Sequence, residues 1–373
     1  MSVVTRQAWL RWVTVACGTA ALCALPVVVG ALPVPVSPIS AEALRARILA
    51  SAHVPYQGYA ESIASLGLPN LPDLGGVSML LDGTTDQYTW YRSPARWRAE
   101  VSTPAGEDDT YQAGAATYLW DYGRNLLTRI VGSQPARLPR AADLLPSALG
   151  RRLLALAAGS GRISRLPSRR IAGIGAAGLH VRATDPRTTI AAVDVWADPA
   201  TGLPIAVQVF ARGSGRPVLT SSFLQLTESR PALSVVTPKP APGVAVTTAE
   251  LPDVSEFLEG IGPPPGRLAG LARTQIRGGI TSVAAYGTGF ARFAVIPLPG
   301  RVGAQALSAA QAAGAPLFGL QDGTDVLIRT PLLTVALASP TSGGPVFLLA
   351  GPVMPAVLQR AAEGALAGSV SFR

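Results

Sequence analysis

The feature that most constrains the fold is a long series of short segments in which apolar and polar residues alternate. This period of two is typical of β-strands that bury one face. Because short connections join the segments, we expect neighbouring strands to be antiparallel. The predicted strands are residues 56–65, 77–81, 87–92, 96–101, 110–112, 117–121, 125–131, 163–171, 178–183, 188–196, 203–212 and 220–227.

Two helices are predicted among these strands. Ser40 can cap a helix over residues 41–52, and Pro146 can begin a second helix that ends at Gly159. The composition then changes, since all eight phenylalanines lie after residue 209. The last part is predicted to contain a strand at 282–297, a helix at 302–313, strands at 325–330, 332–337 and 346–349, and a helix at 355–366.

These patterns predict an α+β fold and divide the chain into four parts. Residues 1–40 form a signal peptide or a membrane anchor, and residues 41–237 form a sheet-rich domain. A proline-rich linker at 238–249 leads to a smaller C-terminal α+β domain at 250–373.

The N-terminal segment predicts export. Arg6 and Arg11 precede an apolar run over residues 12–36, so the rest of the chain is expected to be extracytoplasmic. A small-residue site around Ala31 would suit cleavage and secretion, while the run is also long enough to remain as an anchor, and both alternatives stay open. Because Cys17 and Cys23 are the only cysteines and lie in this segment, the exported part has no disulfide and no cysteine-based metal site.

One glycine-rich stretch, residues 173–178 (GIGAAG), matches the G-x-G-x-x-G pattern of dinucleotide-binding proteins, and Asp194 follows near the spacing of a ribose ligand. Such a site needs a buried strand before the glycines and a long helix after them. Here Pro167 interrupts the approach, and Pro186 ends any helix soon after the glycines. We therefore expect a turn between two strands, and no nucleotide cofactor.

Few residues of the chain suit catalysis or metal binding. His53 and His180 are the only histidines and are expected to be ordinary strand-edge or core residues. The sequence contains neither a G-x-S-x-G elbow nor a phosphate-binding loop. The acidic run at residues 107–109 could bind a cation, but such runs are more often the polar tip of a hairpin. We predict no enzyme activity, no cofactor and no metal.

The net charge of +9 is concentrated in one part of the chain. Eight arginines lie in residues 137–170, where Asp143 is the only acid. Such a patch can meet the anionic surface of a membrane or an acidic protein partner, or it can be a solvated face. Nucleic acid is a further possibility on charge alone, and we do not predict it. The residues assigned to the patch are Arg151, Arg152, Arg165, Arg169 and Arg170.

The order of elements resembles the bacterial lipoprotein-carrier superfamily (LolA and LolB), and most closely its two-domain sigma-E regulatory type (RseB and MucB). The stretches that carry the resemblance are TWYRSPARWRAEV at 89–101, YLWDYGRNLLTRIVG at 118–132 and VWADPATGLPIAVQVF at 195–210. The resemblance covers roughly residues 41–237 and implies a curved antiparallel half-barrel sheet with helices across its open side. Its stretches mark strands and turns, not catalytic groups.

The resemblance implies a non-enzymatic protein that binds a lipid or a lipoprotein acyl chain, for envelope sensing or lipoprotein handling. A filled core, with a membrane partner such as an anti-sigma factor or a transporter, is the alternative. The candidate lining of the hydrophobic site is Met79, Leu81, Trp90, Trp97, Trp120 and Leu149.

Overall fold

The computed structural model describes residues 12–16, 19, 34, 36–67, 75–103, 106–131, 139–250, 264–274 and 283–370. Most of the predicted signal or anchor lies outside the described residues. Within the described ranges, no helix is both long and apolar enough to cross a membrane.

All twenty strands of the described residues lie in two sheets. The first part contains α1 (Ala41–Ala50), β1 (Tyr56–Ser65), α2 (Gly75–Leu81), β2 (Asp82–Ser93), β3 (Arg96–Thr103), β4 (Gly106–Ala113), β5 (Ala116–Asp121), β6 (Leu126–Val131), a 3₁₀ turn (Ala141–Leu144), α3 (Pro146–Leu156), β7 (Gly161–Ile171), β8 (Ile174–Ala183), β9 (Ile190–Ala197), β10 (Pro204–Ala211), β11 (Leu219–Thr227) and β12 (Ala245–Glu250). The second part contains β13 (Arg267–Leu268), β14 (Leu271–Thr274), β15 (Ala284–Thr288), β16 (Ala291–Leu298), α4 (Gly300–Ala312), β17 (Leu317–Leu320), β18 (Gly323–Arg329), β19 (Thr334–Pro340), β20 (Val346–Gly351) and α5 (Pro355–Val370).

The first sheet has twelve strands in the order β12-β6-β5-β4-β3-β2-β1-β11-β10-β9-β8-β7. It is curved and does not close into a barrel, and the fold is α+β as predicted. Consecutive strands from β1 to β6 and from β7 to β11 pair antiparallel, which confirms the inference from short connections. Strand β12 pairs with β6 in parallel, so the sheet continues into the segment that the sequence assigned to a linker.

The GIGAAG stretch is a β-hairpin, as expected. Strand β7 ends at Ile171, β8 begins at Ile174, and Ala172 and Gly173 form the turn with φ values of 48° and 80°. Gly178 lies within β8, where an added Cβ would stand 2.6 Å from Cβ of Leu166 and 2.8 Å from Nε1 of Trp196. That glycine therefore makes room for the Trp196 side chain, which is 2% exposed.

Two sequence-based assignments near residue 80 were wrong. Residues 75–81 form the helix α2 and not a strand, and β2 begins directly at Asp82, where a turn was expected at Asp82 and Gly83. The segment is almost continuously apolar, so its alternation was a weak signal. Leu80 and Leu81, adjacent on the helix, both pack against the main core, which a helix allows and an alternating strand does not.

Helices α1 and α3 cover one face of the first sheet, which we call the covered face. Ser40 caps α1, as predicted, by accepting a hydrogen bond from the Ala43 amide at 3.1 Å. Leu44 and Ile48 of α1 and Leu154 of α3 are fully buried against the sheet. At about 1.5–3 kcal/mol for each buried aliphatic side chain, this packing holds both helices against the strands.

The second sheet has eight strands in the order β13-β14-β15-β16-β20-β19-β18-β17, with α5 packed on it. The strand predicted at 282–297 is in fact the hairpin β15–β16. Gly287 and Gly289 have φ values of 88° and 62°, which β-branched strand residues do not adopt readily. The alternation on both sides concealed this turn.

The two sheets share a packed interface. Phe290, at the tip of the β15–β16 hairpin, and Leu332 both belong to the core cluster of the first sheet. Thr189 donates a hydrogen bond from its hydroxyl to the Leu332 carbonyl at 2.6 Å, and Thr188 donates one to the Pro352 carbonyl at 2.8 Å. These buried contacts fix the C-terminal part against the start of β9.

Candidate functional site

A partly open cavity of about 410 Å³ lies on the covered face of the first sheet. This volume lies within the roughly 300–1,000 Å³ typical of small-molecule sites. Strands β1 to β5 form one wall, and the 3₁₀ turn with α3 forms the other. The lining residues are Tyr56, Thr89, Tyr91, Pro94, Trp97, Gln112, Ala115, Thr117, Arg140, Ala142, Asp143, Leu145, Ala148 and Arg151.

The side chains of the strand wall share one face of the sheet because side chains alternate between the two faces along each strand. Tyr56, Tyr91 and Trp97 are paired across β1, β2 and β3, so all three side chains lie on the covered face. The rings of Tyr56 and Tyr91 are stacked with their centroids 5.0 Å apart. The β2–β3 connection at Ser93 and Pro94, predicted from the sequence, brings Trp97 back opposite Tyr91.

The helical wall presents residues three positions apart. Leu145, Ala148 and Arg151 line the cavity, as expected for one stripe of a helix. The hydroxyls of Tyr56 and Ser147 lie 2.5 Å apart, and Ser62 and Ser221 both donate to the Leu144 carbonyl. These hydrogen bonds tie the start of α3 to the sheet, so the cavity has fixed walls.

The cavity combines aromatic surface with charge. Arg140, Asp143 and Arg151 all line it, and the Asp143 carboxylate accepts a hydrogen bond from the Arg140 amide at 2.8 Å. Burial raises the pKa of the Tyr56 hydroxyl to about 12, while its hydrogen bond to Ser147 and the positive charge of Arg151 oppose that shift. Burial also raises the pKa of Tyr91, again against the charge of Arg151. Both tyrosines are therefore neutral hydroxyls at physiological pH.

The predicted lining residues do not form one site. Trp97 lines the cavity, whereas Leu81 and Leu149 pack against the main core and Met79 is 58% exposed on α2. Trp90 and Trp120 lie on the opposite face of the sheet, as do Arg98 and Asp109, their respective partners in register. The polar lining was missed because the sequence reasoning selected large apolar side chains. Adjacent residues of a strand point to opposite faces of a sheet, so Trp90 and Tyr91 on β2 cannot both line the cavity. Since Tyr91 lines it, Trp90 is excluded from the lining.

The opposite face carries an ion-pair network. The guanidinium of Arg98 lies 2.9 Å from Glu100, 3.2 Å from Glu107 and 2.9 Å from Asp109, and it also packs 4.9 Å from the centre of the Trp90 ring. The three carboxylates are close enough together to be metal ligands, but Arg98 already supplies a positive charge among them. Residues 107–109 lie within β4 and not at a hairpin tip, which corrects that expectation.

The predicted basic patch is spread over two elements. Arg151 and Arg152 lie on α3, with Arg151 toward the cavity and Arg152 exposed. Arg165, Arg169 and Arg170 lie on β7, where the Arg169 guanidinium stacks over the Trp196 ring at 4.1 Å.

Two residues considered in the sequence analysis, His180 and Asp194, pair with each other. His180 Nδ1 lies 2.6 Å from an oxygen of Asp194 across β8 and β9. No serine or second carboxylate is hydrogen-bonded to His180 among the described residues. The contact joins two neighbouring strands of the first sheet.

Comparisons with known proteins give similar structures but no similar sequences. No protein-family model matches the chain, and no curated protein matches it. The MucA/MucB complex of Pseudomonas aeruginosa aligns with 18% identity and a TM-score of 0.49, covering 86% of this chain and 96% of that one. A structure of MucB in complex with MucA(peri) aligns with 17% identity and a TM-score of 0.48, covering 86% and 97%.

A LolA superfamily protein from Nitrosomonas europaea aligns over 54% of this chain and 98% of its own, with 12% identity and a TM-score of 0.24. The MucB and LolA structures belong to the two groups that the sequence resemblance named. At these identities and TM-scores the likeness concerns the fold alone, and it carries no argument about ligand or partner.

Proposed function

We propose that this chain is a non-enzymatic extracytoplasmic protein that binds the acyl chain of a lipid or lipoprotein in the cavity of its first sheet, for envelope sensing or lipoprotein handling. The observation that carries the proposal is the cavity itself, about 410 Å³ between a wall of Tyr56, Tyr91 and Trp97 and the helix α3. Aromatic and aliphatic walls are the surfaces that hold an acyl chain away from water.

Export is proposed from the N-terminal segment, where Arg6 and Arg11 precede the apolar run. Both cysteines lie in this segment, so the remainder depends on no disulfide in an oxidising compartment.

Filling the cavity is expected to abolish binding. Ala148 lines the cavity from α3, so Ala148→Trp would place an indole in the space that the acyl chain requires. The probe is a sixteen-carbon fatty acid with a diazirine in its chain, added to the full protein in lipid nanodiscs and crosslinked by light. We expect labelling to fall by about tenfold or more, which corresponds to a loss of about 1.4 kcal/mol in affinity.

The matched control is Ala155→Trp, which adds the same side chain to the exposed side of the same helix. This variant should be labelled as strongly as the unmodified protein. Equal labelling of both variants would contradict binding in the cavity.

A protein-binding regulator is the second candidate, and the strand β7 favours it. This strand ends the first sheet and pairs only with β8 among the described strands. Arg162 and Arg170 are exposed along it. An extended acidic segment of a partner could add to such an edge through backbone hydrogen bonds and charge.

Reversing charge on β7 tests this candidate. We expect Arg162→Glu with Arg170→Glu to weaken binding of a fluorescent peptide of alternating Glu and Val by about tenfold, since each exposed ion pair contributes up to about 1 kcal/mol. Fluorescence anisotropy at low and high salt measures the binding. The control is Arg301→Glu with Arg360→Glu, an equal charge change on exposed helical positions of the C-terminal part. If both double variants bind the peptide equally, β7 is not the partner surface.

A further inference from the structure

We propose that the cavity selects amphiphiles with an anionic headgroup and that Arg151 binds the carboxylate or phosphate of that headgroup. The inference rests on the proposed function, because it names the chemistry of the ligand for the same site. The general proposal of an acyl-chain site requires no charge in the ligand.

The first step of the argument is the state of the Arg151 side chain. Its Nη1 atom is buried and has no hydrogen-bond partner in the part of the chain that the structure describes. A charged nitrogen shielded from water without a partner is costly, and proteins satisfy nearly all such groups. Arg151 also forms no ion pair among the described residues. An anion inside the cavity would satisfy it.

The second step concerns the groups that face Arg151 across the cavity. Among the described lining residues Asp143 is the only acid, and its carboxylate accepts a hydrogen bond from the Arg140 amide at the start of the 3₁₀ turn. With Arg140 and Arg151 against Asp143, the lining carries an excess of one positive charge at physiological pH. The cavity thus has the sign of charge that an anion requires.

The third step concerns the hydroxyl groups near Arg151. The Tyr56 hydroxyl is hydrogen-bonded to the Ser147 hydroxyl at 2.5 Å. The Tyr91 hydroxyl donates a hydrogen bond to the Ala52 carbonyl at 2.7 Å. Neither tyrosine is hydrogen-bonded to Arg151. The rings, in contrast, face the cavity and offer apolar surface. An amphiphile that places its chain on these rings and its headgroup at Arg151 uses both parts of the site.

Arginine suits this role because its planar guanidinium can donate two parallel hydrogen bonds to a carboxylate or phosphate. The neighbouring Arg152 is exposed on the same helix, so it carries the same charge without access to the same buried site. The pair offers a direct comparison between a headgroup ligand and a general basic surface.

The experiment compares three sixteen-carbon diazirine probes in nanodiscs of neutral phosphatidylcholine that contain the full chain. One probe ends in a carboxylate, one is a lysophosphatidate and one is a neutral alcohol. We expect both anionic probes, or one of them, to label the protein about tenfold to 100-fold more strongly than the alcohol. The two anionic arms distinguish a fatty acid from a phospholipid headgroup.

The variants then assign the selectivity to one side chain. Arg151→Gln should reduce anionic labelling to the level of alcohol labelling measured in the same variant, whereas Arg152→Gln should retain the full preference. Arg151→Lys, which keeps the charge, should retain part of it. Circular dichroism confirms that each variant is folded. If Arg151→Gln does not fold, two measurements still test the proposal. They are the labelling of Arg151→Lys and the preference of the unmodified protein for anionic probes over the alcohol.

Two negative results are distinguishable. Equal labelling of the unmodified protein by all three probes would overturn the role of Arg151 and leave the acyl-chain site standing. A preference that survives in Arg151→Gln would also overturn it. Absence of labelling with every probe would contradict the proposed function itself.

Discussion

Replacing Phe290 by alanine is expected to lower the free energy of unfolding by about 3–5 kcal/mol, the range for truncating a buried phenylalanine. Phe290 is 2% exposed and lies at the tip of the β15–β16 hairpin, within the core cluster of the first sheet. Gly289 beside it lies against Ser160, and an added Cβ there would collide with the Ser160 hydroxyl. The hairpin therefore has little freedom to close the space that a smaller side chain leaves.

Urea unfolding followed by tryptophan fluorescence measures this effect on the first sheet, because no tryptophan lies after residue 196. The control is Leu317→Ala, which truncates a side chain that is 54% exposed. That change should stay within about 0.5 kcal/mol. A loss below about 1 kcal/mol for Phe290→Ala would show that the second part of the chain does not support the first, since truncating a packed core aromatic costs more.

The second large effect concerns Asp325 and pH. Asp325 lies on β18 with no exposed surface, and neither carboxylate oxygen has a hydrogen-bond partner among the described residues. Burial, and then the negative charge of Glu363, raises its pKa from 3.8 to about 6. The folded state therefore holds this proton more tightly than the unfolded chain. Stability from this group is fully present below about pH 4 and is lost as pH rises through about 6.

Asp325→Asn should remove that loss. At pH 7 to 8 the variant is expected to be more stable than the unmodified protein by up to about 3 kcal/mol, and the difference should shrink toward pH 4. Hydrogen exchange of peptides from β18 and β19, measured at both pH values, reports the change locally. Asp322→Asn, on the loop before β18, is the matched control. An equal gain from Asp325→Asn at both pH values would contradict the assignment to a buried carboxylate.

Much of the fold was predictable because period two and turn residues act locally. The strands from β2 to β6, the cap at Ser40 and the hairpin in GIGAAG all follow from residues within a few positions. The errors have two causes. The helix α2 and the parallel strand β12 depend on what each segment packs against, and that is set by distant parts of the chain. The turn at Gly289 was missed because apolar and polar residues alternate on both sides of it.

The site was less predictable than the fold. Trp97 could be placed because Trp97, Ala99 and Val101 alternate with charged residues on β3. Arg151, in contrast, is one of eight arginines in residues 137–170, and nothing in the sequence distinguishes it from the others. Only the three-dimensional arrangement shows that it faces Tyr56 and Tyr91 across a cavity while Arg152 does not. The two arginines are adjacent on α3, and the sequence does not show which of them faces a cavity.

Mapping the crosslinks of the carboxylate diazirine probe on the unmodified protein is the most direct test of the central claim. The account predicts that labelled peptides come from two regions, residues 89–97 on β2 and β3 and residues 145–151 on α3, which form opposite walls of one cavity. Labelling in both regions, competed by unlabelled fatty acid, would agree with a ligand held between them. Crosslinks confined to the C-terminal part, or scattered over the surface without competition, would contradict it.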